Sequence, residues 1–440
     1  MTTKKTLIGV AALAAASVAL GGCAAGGVPG GSAGSTVLDP DAALDGEITV
    51  WSWDVGAVAL ERLAADFEKE HEGTKVTVVD VGYDNAYDKM SVGFQAGTGL
   101  PDVVTIETDA APGYITQFPT GMLDLSPLLG EDEKDFDPFK WSAGSDADGA
   151  LRIAPWDSGT VAMFYRTDIV EEAGVDIEAV RTWDDLIAAG KVIKQKTGHT
   201  LMSTDIAAGA GFQARLQQLG QGLFNEKGEI TIDSPEAVRV LTMLTEMNEA
   251  GLIKNVTGWD GRVTSAKDGD SAITPEAVWW IGTLQGDAPE HSGTYGVLPL
   301  PVFDEGGART SNNGGSGLAV PAQAKNPQLA AAFVDYVLAD AGNQASMMKN
   351  EGLFPSYLPA LQDDQFSEPV DYFGGQPVYE VFAELTAEIP PIVYTSDSAE
   401  ATDIVANAVS AAMLNGGDPA TVLADAAKQL ATSTGRDIAK

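Results

Sequence analysis

The chain has 440 residues with 63 acidic against 26 basic side chains, a formal charge of −37, and a single cysteine. A surface this acidic repels nucleic acid and anionic lipid, and one cysteine excludes an intrachain disulfide and any four-cysteine zinc site. The length exceeds one comfortable core and argues two domains.

In chain order, Lys4 and Lys5 precede an apolar stretch from Leu7 to Leu20 and then LGGC at residues 20–23. A charged head, a short apolar segment and small residues make a secretory signal over residues 1–22. LGGC resembles the lipobox of bacterial lipoproteins, which implies lipidation at Cys23 and a chain anchored to the outer face of the cytoplasmic membrane without spanning it. Residues 23–45 are rich in Gly, Ala, Ser and Pro and read as anchor and flexible linker. GGSAG at 30–34 matches the serine-hydrolase elbow only formally, because the linker supplies neither the strand nor the helix which that motif needs.

EITVWSW (47–53) predicts a strand, followed by a helical pattern from about 57 to 71. KVTVVDVGY (75–83) is a second strand, 84–96 a helix and PDVVTIE (101–107) a third strand. Strands alternating with helices predict α/β architecture with a parallel sheet, whose ligands sit beyond the carboxyl ends of the strands. Trp53, Asp54, Tyr83, Glu107 and Asp109 occupy those ends. If the backbone stays extended past Ile106, Glu107 and Asp109 share a face; a strand-end acid is as readily a solvated loop residue or a cap for the next helix. LRIAPWDSGTVAMFYR (151–166) reads as two extended segments joined at WDSG. Helices follow at 182–196, 234–251 and 326–340, the first two with Thr or Ser caps and the third opening on Asn326 and Pro327.

TPEAVWWIGTL (274–284) sets two tryptophans side by side. Thr-Pro-Glu predicts a helix start, on which Trp280 joins the apolar side while Trp279 falls opposite. Trp279 then either packs under a loop or covers a ligand. A flat indole face suits the C–H face of a sugar ring while acids and amides take the hydroxyls. Trp53, Trp156 and Trp259 stand where loops are expected and are each followed by Asp, namely Asp54, Asp157 and Asp260.

The order of lipobox, linker, ITVWSWD, FEKEH, KVTVVDV, QAGTGLPDVV, TPEAVWWIGTLQ, YGVLPLP and NNGGSGLAVPAQAKNPQLAAAFVDYV resembles the extracellular solute-binding proteins of ABC importers, the class of the maltose-binding protein. The resemblance implies a two-lobed periplasmic-binding-protein fold with a hinge and an interlobe cleft. Lobe 1 would be 46–157 plus about 318–352, and lobe 2 about 160–315 plus 356–440. The chain would cross near 157–161, 313–319 and 352–357, with the NNGGSG glycines as part of the hinge. It further implies a monomer that captures a sugar or oligosaccharide and delivers it to ABC permease subunits. Ligand positions carried over are Trp53, Asp54, Glu107, Asp109, Trp156, Asp157, Ser158, Trp279, Asn313, Gly314, Gly315 and Ser316. Tyr83 and Trp259 rest on loop position and residue type alone, and residues 197–225 match nothing recognisable.

Two alternatives remain at this level. A secreted glycoside hydrolase would need two carboxylates flanking a bond, a role open to Glu107 and Asp109. A sensory binding lipoprotein would report ligand without feeding an importer. S-x-x-K (346–349), KTG (196–198) and SDS (396–398) stand in the wrong order for penicillin-recognising enzymes. His71, His199 and His291 show no metal-ligand spacing, and no Gly-rich nucleotide loop is present. The expectation is therefore no catalytic residue, no metal and no cofactor.

Overall fold

β-branched and aromatic residues alternate through β1 (Gly46–Ser52), whose Ile48 and Val50 are buried while Glu47 is exposed. This is the period-two pattern of a strand. The computed structural model describes residues 38, 39 and 42–440; the signal segment, Cys23 and GGSAG lie outside them. β1 pairs in parallel with β2 (Thr74–Asp80) and β3 (Val103–Glu107). The connecting helices are Asp54–Glu70 and Tyr83–Ala96. Asp102, in the PDVV motif, holds this unit together: its carboxylate accepts from the N–H of Thr49 (2.9 Å) and of Lys325 (2.6 Å), joining the entry of β3 to β1 and to a distant loop.

Beyond β3 the chain makes β4 (Ala154–Pro155), β5 (Asp157–Ser158), β6 (Val161–Arg166), β7 (Met202–Thr204), β8 (Ile253–Asn255), β9 (Ile273–Ala277), β10 (Tyr295–Leu298), β11 (Ser316–Ala319) and β12 (Phe354–Pro355). The first sheet has the order β2-β1-β3-β11-β4. It is mixed, not purely parallel: β11 runs antiparallel to β3 and to β4. The physical reason is its origin. β11 arrives from the far side of the molecule and not over a crossover helix, so nothing imposes the parallel sense. A second sheet, β10-β6-β9, is antiparallel throughout.

The apolar side chains separate into two lobes. One core gathers Val50, Leu60, Phe67, Trp156, Leu318 and Phe333, from the start of the fold and the segment after β11. Another gathers Val161, Trp183, Leu241, Leu244, Val405 and Leu430, with Phe164, Trp280, Phe354 and Phe382 in a cluster beside it. Between them three segments run together. β5 pairs antiparallel with β12, Thr160 bridges to Asn312, and the Asp157 carboxylate accepts from the N–H and hydroxyl of Ser316 (2.8 and 2.6 Å).

Helix prediction held at Trp183–Thr197, where Thr182 and Asp185 form a reciprocal capping box, at Pro235–Glu249 with a Ser234 cap and at Pro327–Leu338 with an Asn326 cap. It failed at 274. Thr274, Pro275 and Glu276 belong to β9, paired with β6, and the helix begins only at Trp280. β9 is the edge of its sheet, where a proline's missing N–H costs no ladder bond.

Candidate functional site

The lobes enclose a cleft of about 320 Å³. Small-molecule pockets commonly measure about 300–1,000 Å³. Its first wall comes from the carboxyl ends of β1 and β3. Trp53 follows β1 directly and meets Tyr83 edge to face, with ring centroids 5.6 Å apart. Tyr83 is the first residue of its helix, not a strand end, and stays 40 % exposed. Glu107 ends β3 and accepts at Oε2 from the phenols of Tyr83 (3.2 Å) and Tyr87 (2.8 Å). Burial, then the nearby Asp109, pushes the Glu107 carboxyl up to about 8, against the tyrosine hydrogen bonds, which favour the charged form. Asp54 is likewise pushed up, to about 6, by burial and then by Asp287 and Asp80.

Asp54 (φ +48°) and Ala210 (φ +50°) are the non-glycine residues with positive φ among the described residues, and both line the cleft. Side chains other than glycine adopt that region at a cost, and such strain gathers at functional sites.

The second wall is built on β9 and the helix Gly258–Lys267. Trp259 lies in the first turn of that helix, not in a loop. The Arg262 guanidinium sits over both the Trp259 ring (5.4 Å) and the Trp280 ring (5.3 Å) and pairs with the buried Glu276 carboxylate. Glu276 also accepts from the Asn313 side-chain amide (2.6 Å), and the Asn313 carbonyl accepts from the Trp279 indole N–H (3.1 Å). This chain of contacts fixes Trp279, which is half-buried at the cleft. Trp280 is 1 % exposed, in the core. The two neighbours divide as expected between cleft and core, although the helix-face argument for that division does not survive: Trp279 is the residue before the helix.

The predicted site residues are placed unevenly. Trp53, Asp54, Tyr83, Glu107, Trp259, Trp279, Asn313, Gly314, Gly315 and Ser316 all line the cleft. Trp156 and Asp157 reach its floor, but both are buried, Trp156 in a core and Asp157 bonded to Ser316. Ser158 is buried in β5 and is not among the lining residues. Asp109 faces a separate small pocket with Tyr394. The backbone turns immediately after Glu107, so the extended path that would have aligned the two acids is absent; Asp109 stays near enough to raise the Glu107 pKa but does not line the cleft.

Sequence reasoning missed Asp205, Gln213, Arg215, Arg262 and Glu276, which also line the cleft. Asp205, Gln213 and Arg215 come from the stretch 197–225 that resembled nothing. Its run of small residues, AAGAGF at 207–212, was the available signal, since small side chains let a backbone approach a ligand closely. Asp205 accepts from the Gly258 N–H (2.6 Å) and so seats the helix bearing Trp259.

Two lobes, three crossing segments and a cleft lined by aromatic rings and polar groups define a binding protein of the two-lobed periplasmic type. The chain belongs to the bacterial extracellular solute-binding protein family, whose profile matches residues 53–344. It is 30 % identical over 370 residues to a lactose-binding protein of Rhizobium radiobacter, covering 82 % of this chain and 86 % of that one. It is 25 % identical to an arabinooligosaccharide-binding protein of Bacillus subtilis (strain 168), over 82 % and 86 % of the two chains. Among solved structures, an ABC transporter associated binding protein from B. animalis subsp. lactis Bl-04, in complex with β-1,6-galactobiose, superposes with a TM-score of 0.81 at 26 % identity, over 90 % of this chain and all of the other.

Proposed function

We propose that this chain captures a sugar or oligosaccharide by closing its lobes over the cleft and delivers it to the permease subunits of an ABC importer. The observation that carries the reading is Trp279, a large aromatic face held at the cleft by a hydrogen bond to Asn313 and by the Glu276–Arg262 pair behind it. Such a platform takes the apolar face of a sugar ring. Trp53, Tyr83 and Trp259 extend the aromatic lining, while Glu107, Asn313 and Ser316 offer hydrogen bonds for hydroxyls. This reading is in line with the saccharides named for the lactose-, arabinooligosaccharide- and galactobiose-binding relatives.

On this reading lobe 1 comprises 46–157 plus about 318–352 and lobe 2 about 160–315 plus 356–440. Ligand contacts to both lobes favour the closed form, which the permease recognises. The work is binding, not bond cleavage. The protein acts as a monomer outside the cytoplasmic membrane, lipid-anchored through Cys23.

A thermal-shift screen against lactose, arabino-oligosaccharides and β-1,6-galactobiose tests the proposal. A ligand at a hundredfold its Kd stabilises the folded state by about 2.7 kcal/mol, and chromatography after long incubation should find no product. No shift with any saccharide would sink the carbohydrate assignment, and product formation would restore the hydrolase.

A further inference from the structure

One short helix, Pro138–Gly144, touches all three crossing segments. The N–H of its cap, Asp137, donates to the Ser356 carbonyl beside β12 (2.9 Å). The Lys140 ammonium donates to the Asp157 carbonyl in β5 and to the Thr108 hydroxyl (3.2 Å). Thr108 in turn donates through both its N–H and its hydroxyl to the Gly315 carbonyl at the head of β11 (2.9 and 3.0 Å).

Lys140 is only 5 % exposed, and its hydrogen-bond acceptors are a carbonyl and a hydroxyl, neither charged. Burying an ammonium this way is costly. Burial draws its pKa down, while Asp157, Asp137, Asp109 and Glu107 hold it up from a distance. A methionine would fill the same space without that cost, so packing does not account for the residue. Its N–H donors do, since they reach the Asp157 carbonyl and the Thr108 hydroxyl at once. The backbone has made room for them: a Cβ at Gly315 would collide with the Lys140 ammonium.

We propose that Lys140 is a positioning residue for solute capture, tying the crossing segments to one helix and so setting the path along which the lobes close. The proposal rests on the reading that the lobes close over a solute.

The test is Lys140→Met in the full chain carrying Cys23→Ser, with spin labels at Lys69→Cys and Lys428→Cys. These two side chains are 73 % and 70 % exposed, on helices packed into different cores. Pulsed electron paramagnetic resonance then reads the interlobe distance. In the parent chain the distribution is narrow and shortens with β-1,6-galactobiose. In Lys140→Met it is broad without ligand and fails to narrow with it, at unchanged far-ultraviolet dichroism. Lys140→Gln, which keeps an N–H donor, restores part of the narrowing and serves where the Met variant does not fold. A ligand-free distribution in both variants identical to the parent's overturns the proposal, whatever the melting temperature does. If the sugar moves neither chain but the variants still broaden, the choice of sugar fails and the role of Lys140 stands.

Discussion

Replacing Trp279 and Trp280 separately by alanine should separate binding from folding at adjacent positions. Trp280 is 1 % exposed among Phe164, Val278, Ile281 and Phe354. Removing a buried Trp costs about 3–5 kcal/mol. Its indole N–H has no hydrogen-bond partner among the described residues, and removing an unpaired buried donor returns about 1 kcal/mol, which leaves a loss of about 3 kcal/mol. Trp279 is half-buried, packs beside the Trp259 and Trp280 rings and donates one hydrogen bond, to Asn313; its removal costs about 2 kcal/mol of stability, from that bond and a part of an aromatic's packing. As an aromatic anchor of the ligand it should contribute about 2 kcal/mol to affinity, or roughly thirtyfold in Kd. Urea denaturation measures the first quantity, and calorimetric titration with a saccharide that shifts the parent protein measures the second. Equal stability losses in both variants, with affinity intact, would refute the assignment of Trp279 to the ligand.

Glu107 titrates in the folded chain at about 8, above its ordinary 4.5. The native state therefore holds a proton that the unfolded chain has released, and stability falls as pH rises from about 4.5 through 8. Glu107→Gln should leave the melting temperature near its parent value at pH 4 and raise it at pH 8; no difference between the two pH values would contradict the shift. Arg262→Met strands the buried Glu276 carboxylate and should cost about 3 kcal/mol in urea denaturation. Adding Glu276→Gln should recover much of that loss, and additive losses would show that the pair is not coupled. Gly315→Ala places a methyl group against Lys140 and 2.7 Å from the Asp157 carbonyl at φ +82°, whereas Gly306→Ala at φ +79° meets nothing within 4 Å. The second should lose about 1 kcal/mol and the first distinctly more in thermal melts. Equal losses would mean that the space around Gly315 is not needed.

Strand ends were the most legible part of this sequence, because the alternation in β1 and the short apolar run of β3 mark where each strand stops. Trp53 and Glu107 were found that way and both line the cleft. Periodicity stopped being informative where the chain left regular structure. Asp109 was misplaced because a turn follows Glu107 at once, and nothing in TIETDA distinguishes a turn there from one more extended residue. Thr-Pro-Glu was misread because a helix cap and an edge strand tolerate the same residues. Only the pairing with β6, more than a hundred residues away, decides between them. Arg262 and Glu276 were invisible for a related reason. Their significance lies in their pairing, and the sequence sets them 14 residues apart on elements of different kinds.

The division of the cores between distant parts of the chain bears on how the protein is made. The first core needs Leu318, Phe333 and Leu338 to close over Ile48 and Leu60. The second needs Leu423 and Leu430 to close over Val161 and Trp183. A nascent chain therefore stays without a finished core until about three quarters of its length has been synthesised, and its second lobe waits almost for the last residue. Contacts so far apart in sequence form slowly. The apolar residues of both cores therefore stay uncovered through most of synthesis, which leaves the growing chain open to chaperones and to self-association.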